Sequence, residues 1–186
     1  VKEPIEPLNG RELGRLFAAV EGERWLDLRN VAMLSLMARA GLRVSEVVAL
    51  TLADVEIRAR SGSALIRHGK GNKERAVRLS LQTRKDLTAY LEARPDFAST
   101  RLFVSRGGNP LHTRDVQRMV DKVARLALID RKITPHMLRH TFATRFLRRG
   151  GDLATLQHLL GHANLSTTAR YLHPDKQQVQ TMVEEL

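Results

Sequence analysis

Residues 134–173 read TPHMLRHTFATRFLRRGGDLATLQHLLGHANLSTTARYLH, and this stretch carries both the clearest helix punctuation and most of the reactive side chains. Thr134 can cap a helix and Pro135 suits its first turn, so His136 and Arg139 fall three residues apart on one face near the helix N-terminus. Unpartnered backbone N–H groups and the positive end of the helix dipole favour an anion there, and an arginine fork adds two charge-assisted hydrogen bonds. Residues 131–150 contain six Lys or Arg and no acid. Gly150-Gly151 stops the helix, Asp152 caps another that runs to about Leu160, and Gly161 ends that one with His162 immediately after it. Nine residues past His162, on a short helix opened by Ser166, comes Tyr171. The pattern suggests a tyrosine nucleophile aimed at a phosphodiester that two imidazoles and an arginine hold.

Working outward, the whole chain has 186 residues, enough for one domain or one domain with an appendage, and enough to bury a real core. Only 4% of it is aromatic, so that core must be built from Leu, Val, Ala and Met, which suits helices better than sheets. With no cysteine there can be neither a disulfide scaffold nor a thiolate metal site. No signal peptide is legible, and no apolar run approaches the length that spans a bilayer, so no membrane partner and a cytoplasmic location are expected. Thirty-one Lys and Arg against twenty Asp and Glu leave a net charge of +11 and a pI near 10.9, the footprint of a nucleic-acid partner. The charge is clustered: between Arg58 and Lys85 there are nine basic residues and a single acid, Glu74.

Residues 1–8 carry two prolines and no periodicity and read as a linker. Asn9 caps a helix with Glu12 closing a capping box. Residues 25–40 are apolar nearly all round, which marks a helix buried inside the domain and ended by Gly41. Arg43 and Glu46 follow among core-like Val44, Val47, Val48 and Leu50. A charge placed there needs a partner, and the plainest reading is an Arg43–Glu46 pair one turn apart. Residues 55–58, 64–67 and 76–79 switch to period two and predict a small antiparallel sheet, with Ser61-Gly62 in one turn and Lys70 on the glycine-flanked hairpin Gly69-Lys70-Gly71-Asn72. Further helices are expected over 81–94 and 113–128, and the tail could form one more. The fold class is therefore mainly α with a small antiparallel sheet, an α+β domain.

Arg43 in ARAGLRVSE, Lys70 in GKGNKER, His136 and Arg139 in HMLRH, His162 in LLGH and Tyr171 nine residues later resemble the tyrosine recombinase, or phage integrase, family, and its Xer-type members above all. The likeness runs from about residue 9 to residue 175 and implies that family's catalytic-domain fold. It implies a division into a linker at 1–8 from an N-terminal core-binding domain, a catalytic domain at 9–174 and a tail helix at 175–186 for docking between protomers. It also assigns roles. Tyr171 attacks the scissile phosphate; Arg43 and Arg139 clamp its non-bridging oxygens; His162 donates to it; His136 accepts a proton or donates to the phosphate; Lys70 protonates the leaving 5′-oxygen; Glu46 orients the arginines and histidines from behind. The implied partners are double-stranded DNA and three further copies of the chain on that DNA, with the isolated domain open to being a monomer; no cofactor and no metal are implied. Rival readings are a zinc site on His136 and His140, disfavoured because Met137 stands where the zinc proteases carry glutamate, a type IB topoisomerase, and a DNA-binding module without catalysis. His140, His158, His68 and His112 are expected to pack or hydrogen-bond within the fold, and Tyr90 to be core.

Overall fold

Helix α2, Trp25–Arg39, is the element on which the others are assembled in the computed structural model, which describes residues 6–20, 22–67 and 74–161. Its residues Ala32, Met33, Leu34, Leu36 and Met37 are all fully buried, so the near-continuous apolar run is a helix wrapped on every side. Each such Leu or Met contributes roughly 1.5–3 kcal/mol of transfer free energy. Helices α4 (Leu81–Ala93) and α6 (Pro135–Arg148) pack most extensively against it. A polar stitch fixes the α2–α4 contact: Arg39 Nη1 donates to Asp86 at 2.8 Å and to Ser35 Oγ at 3.2 Å, while its guanidinium lies 3.8 Å from the centre of the Phe17 ring.

The remaining elements follow the sequence punctuation. Helix α1, Gly10–Ala18, opens on the expected capping box, with Asn9 accepting from the Glu12 backbone and Glu12 accepting from that of Asn9, each at 2.9 Å. Helix α3 is short, Val44–Ala49, and a 3₁₀ turn at Leu52–Asp54 leads into the sheet. Strands β1 (Val55–Ile57), β2 (Gly62–Ile66) and β3 (Arg75–Arg78) pair antiparallel in the order β1-β2-β3, with Val55 opposite Ala64 and Ala64 opposite Val77. Ala64, Ile66, Val77 and Leu79 point into the core. The turn before β2 comes two residues earlier than expected: the Arg58 N–H donates to Ser61 O at 2.8 Å, closing the turn over 58–61, and Gly62 is already the first strand residue. Ser80 then caps α4.

Helix α5, Thr113–Leu126, ends two residues before the apolar stripe suggested. The Ile129 N–H reaches back to Ala124 O at 3.1 Å, which turns Ile129 into the core and forces Leu128 to φ 51, a left-handed conformation that a helix cannot continue through. Helix α6 carries its Thr134 cap and N-terminal proline as expected, and after Gly150 (φ 84) the chain enters α7, Leu153–Leu160, through the Asp152 cap. Phe142 and Phe146 of α6 pack with Leu156 and Leu160 of α7 in a small second cluster. Residues 6–8 lie on the domain: the Leu8 N–H donates to Thr141 Oγ1 at 2.8 Å, and Arg131 holds the carbonyls of Glu6 and Pro7 and the Glu12 carboxylate at 2.8–3.0 Å. No helix among the described residues is long and apolar enough to cross a membrane.

Candidate active site around Glu46

Three arginines from three different elements meet at the carboxylate of Glu46. Glu46 is the third residue of α3, so its side chain can turn back on the helix N-terminus, where it accepts the Arg43 N–H on Oε2 at 2.8 Å. Arg43, the residue before the helix, also donates through Nη1 to Oε1 at 2.8 Å. From β3, Arg75 approaches with its fork, Nη1 to Oε1 and Nη2 to Oε2, both at 2.9 Å. Arg139 stands one turn into α6 with its Nη1 3.8 Å from Oε2, an ion pair outside hydrogen-bonding distance. Two of its donors reach backbone: Nη1 to Gly41 O, at the turn between α2 and α3, and Nη2 to Leu160 O at 2.8 Å, at the end of α7.

The cluster is strongly graded in exposure. The side chains of Glu46 and Arg139 are 5% and 3% exposed, that of Arg75 is 10%, and that of Arg43 is 34%. Burial pushes the Glu46 carboxyl up, but the Arg75 fork, the Arg43 N–H and the charges of both arginines outweigh it and hold the group below the usual carboxylate range. Glu46 is therefore ionised, and three guanidiniums still face the one carboxylate they share. A wall with surplus fixed positive charge and planar donors suits a phosphodiester and the extra negative charge it gains when attacked.

Of the side chains singled out in the sequence, Arg43, Glu46 and Arg139 are thus brought together, and His136 lies exposed on α6 one turn before Arg139. Lys70, His162, Tyr171 and His68 fall outside the described residues. His140 is buried, as expected. His158 and His112 are both exposed, the first on α7, the second where its backbone N–H donates to Asp115 at the start of α5. Tyr90 is fully buried and its hydroxyl donates to Leu102 O at 2.8 Å, which removes it as a rival nucleophile.

Arg75 is the participant that sequence reasoning missed. Reading the strand from Ala76 left Arg75 just outside it, whereas β3 starts at Arg75 itself. Period-two alternation then puts Arg75 on the side of Val77 and Leu79, both buried, opposite exposed Ala76 and Arg78. An arginine on the inward face of a strand was the available signal.

A model of the phage integrase family matches residues 6–178. The chain belongs to the phage integrase family. Among its relatives, the tyrosine recombinase XerC of Lacticaseibacillus casei (strain BL23) is 39% identical over 169 residues, which cover 87% of this chain and 56% of that protein. The XerC of Staphylococcus carnosus (strain TM300) is 39% identical over 171 residues, 90% of this chain and 57% of that protein. A crystal structure of XerA recombinase superposes with a TM-score of 0.86 at 35% identity and covers 100% of this chain and 65% of that chain. The post-cleavage complex of XerH site-specific recombinase with palindromic difH substrate superposes with a TM-score of 0.81 at 29% identity, over 98% of this chain and 53% of that one. This chain spans between half and two thirds of the length of these relatives, and its fold is the one that the recombinases share.

Proposed function

We propose that residues 9–174 form the catalytic domain of a site-specific DNA recombinase that cuts and rejoins DNA through a 3′-phosphotyrosyl intermediate. The Tyr171 hydroxyl attacks the scissile phosphorus and gives up its proton to a base, for which His136 is the candidate. A P–O bond to tyrosine forms as the bond to the 5′-oxygen breaks, and Lys70 protonates that leaving oxygen. Arg43, Arg139 and His162 stabilise the charge that grows on the non-bridging oxygens, with Glu46 orienting the arginines. The phosphodiester energy is kept in the phosphotyrosine, so ATP has no step to perform, and the fixed cationic and donor groups around the phosphate take the place of a divalent metal. A 5′-hydroxyl from a partner duplex reverses the chemistry on the new strand, and two such exchanges pass through a Holliday junction.

The meeting of Arg43 and Arg139 at one carboxylate is the observation that carries this reading, because a phosphate needs both forks at the same place. Similarity to XerC, XerA and XerH proteins favours recombination over relaxation by a type IB topoisomerase and over a non-catalytic module. The natural assembly is a homotetramer on double-stranded DNA in the cytoplasm, at the nucleoid, in which residues 1–8 join an upstream DNA-clamping domain and 175–186 dock on a neighbouring protomer.

Incubation with a suicide DNA substrate tests the chemistry. A covalent protein–DNA adduct is expected that persists in EDTA and disappears in Tyr171→Phe. Adduct formation that is unchanged in Tyr171→Phe would overturn the assignment of the nucleophile, and loss of the adduct in EDTA would overturn the metal-free mechanism.

A further inference from the structure

We infer that Arg75 is a positioning residue for the cleavage step, acting by saturating Glu46 so that Arg139 is kept for the phosphate; the inference rests on the recombinase reading above. An ionised carboxylate offers about four in-plane lone-pair positions. On Glu46 all four are taken: Oε1 accepts Arg43 Nη1 at 2.8 Å and Arg75 Nη1 at 2.9 Å, and Oε2 accepts the Arg43 N–H at 2.8 Å and Arg75 Nη2 at 2.9 Å. Arg139 Nη1, 3.8 Å from Oε2, is close enough to feel the charge and too far to hydrogen-bond it. Half of the acceptor capacity that excludes it is filled by Arg75 alone.

A second set of bonds points the same way. Arg75 Nε donates to Leu159 O at 3.2 Å, and Arg139 Nη2 donates to the next carbonyl, Leu160 O, at 2.8 Å. The two arginines therefore share the C-terminal end of α7 as well as the carboxylate. The turn that follows leaves Arg75 little latitude: a Cβ at Gly161, whose φ is 62, would lie 2.9 Å from Arg75 Nη1. Anchored at both ends, the Arg75 guanidinium holds the carboxylate plane in the orientation that also fits Arg43. Without it, two lone-pair positions on a buried anion open beside Arg139, and the nearest cation moves to fill them. The displaced fork then meets the phosphate in the wrong place, which lowers transition-state stabilisation more than ground-state binding of DNA.

The test compares wild type, Arg75→Ala and Arg75→Lys by single-turnover cleavage of a suicide substrate, substrate affinity and thermal denaturation, with an Arg75→Ala/Arg139→Lys cycle. Arg75→Ala is expected to slow cleavage on the order of 10–100-fold, as loss of an outer partner of a metal ligand does, while affinity changes by less than about threefold. Arg75→Lys keeps the charge but cannot fill two positions in one plane, so its rate should fall between the two. Because the effect runs through residue 139, the loss from Arg75→Ala should shrink in the Arg139→Lys background. Cleavage by folded Arg75→Lys at the wild-type rate, or rate losses that multiply across the cycle, would overturn the positioning role. If Arg75→Ala fails to fold, the lysine variant carries the comparison. A wild-type protein that forms no Tyr171-dependent adduct sinks the recombinase reading itself, a result distinct from normal wild-type cleavage with an indifferent residue 75.

Discussion

Replacing Glu46 by glutamine removes one negative charge and almost no volume, so it measures what the carboxylate does for the fold. The amide introduced there could still accept two of the four hydrogen bonds on its oxygen, but its NH₂ would confront two donors that now have no acceptor. Arg75 and Arg139, with side chains 10% and 3% exposed, would lose their counter-charge in a site largely closed to water, whereas Arg43 at 34% can turn to solvent and adds little. Breaking a buried ion pair in this way costs about 3–5 kcal/mol, a large share of the roughly 5–15 kcal/mol that stabilises a domain. At roughly 2–4 °C per kcal/mol for a chain of this size, the melting temperature should fall by about 6–20 °C. Urea denaturation followed by the fluorescence of Trp25, the single tryptophan, reports the loss directly. The pH dependence supplies the sharper check. The folded-state pKa of Glu46 lies below its ordinary 4.5, so its contribution is fully present above about pH 4.5 and is lost as pH falls through the folded value. The gap between wild type and Glu46→Gln should therefore narrow in acid. A gap under about 1 kcal/mol at pH 7, or one of equal size at pH 7 and pH 3, would refute the reasoning.

Two further substitutions separate scaffold from chemistry. Gly41→Ala should cost about 2–5 kcal/mol in urea denaturation, because φ is +72 and the new Cβ would stand 2.4 Å from Phe142 Cδ1 and 3.1 Å from Leu160 Cδ2. The same change shifts a carbonyl that Arg139 uses, so single-turnover cleavage should slow as well. Tyr90→Phe leaves the buried Leu102 carbonyl without its 2.8 Å donor and should cost about 1–3 kcal/mol of stability, while the covalent DNA adduct still forms, since that hydroxyl is sealed in the core.

Much of this molecule is legible along the chain because helix and strand signals act over a few residues. The Asn9–Glu12 box, the Thr134-Pro135 start, the Asp152 cap and the Gly161 stop each concern groups within a turn of one another, and all four stand where the sequence put them. The near-continuous apolar run in α2 announced its burial for the same reason: a helix with so little polar face has little to give to water. The misreadings are small and share a cause. Leu128 adopts a left-handed conformation that no preference of leucine predicts, because burying Ile129 demands it. Starting β3 one residue late left an inward-facing arginine outside the strand.

Local spacing could pair Arg43 with Glu46, since they are three residues apart and one helical turn brings them together. It could not say that Arg75, 29 residues from Glu46, fills the other half of that carboxylate, nor that Arg139 reaches across 98 residues to the carbonyl of Gly41. Residue types and order along the chain are set by the sequence itself, and with them the helices, the strands and the family. Which cation reaches which lone pair depends on how α2 is enclosed, because only the packed core brings β3, α6 and the end of α7 to the same few ångströms, and a carboxylate with four positions to share selects among whatever the fold delivers.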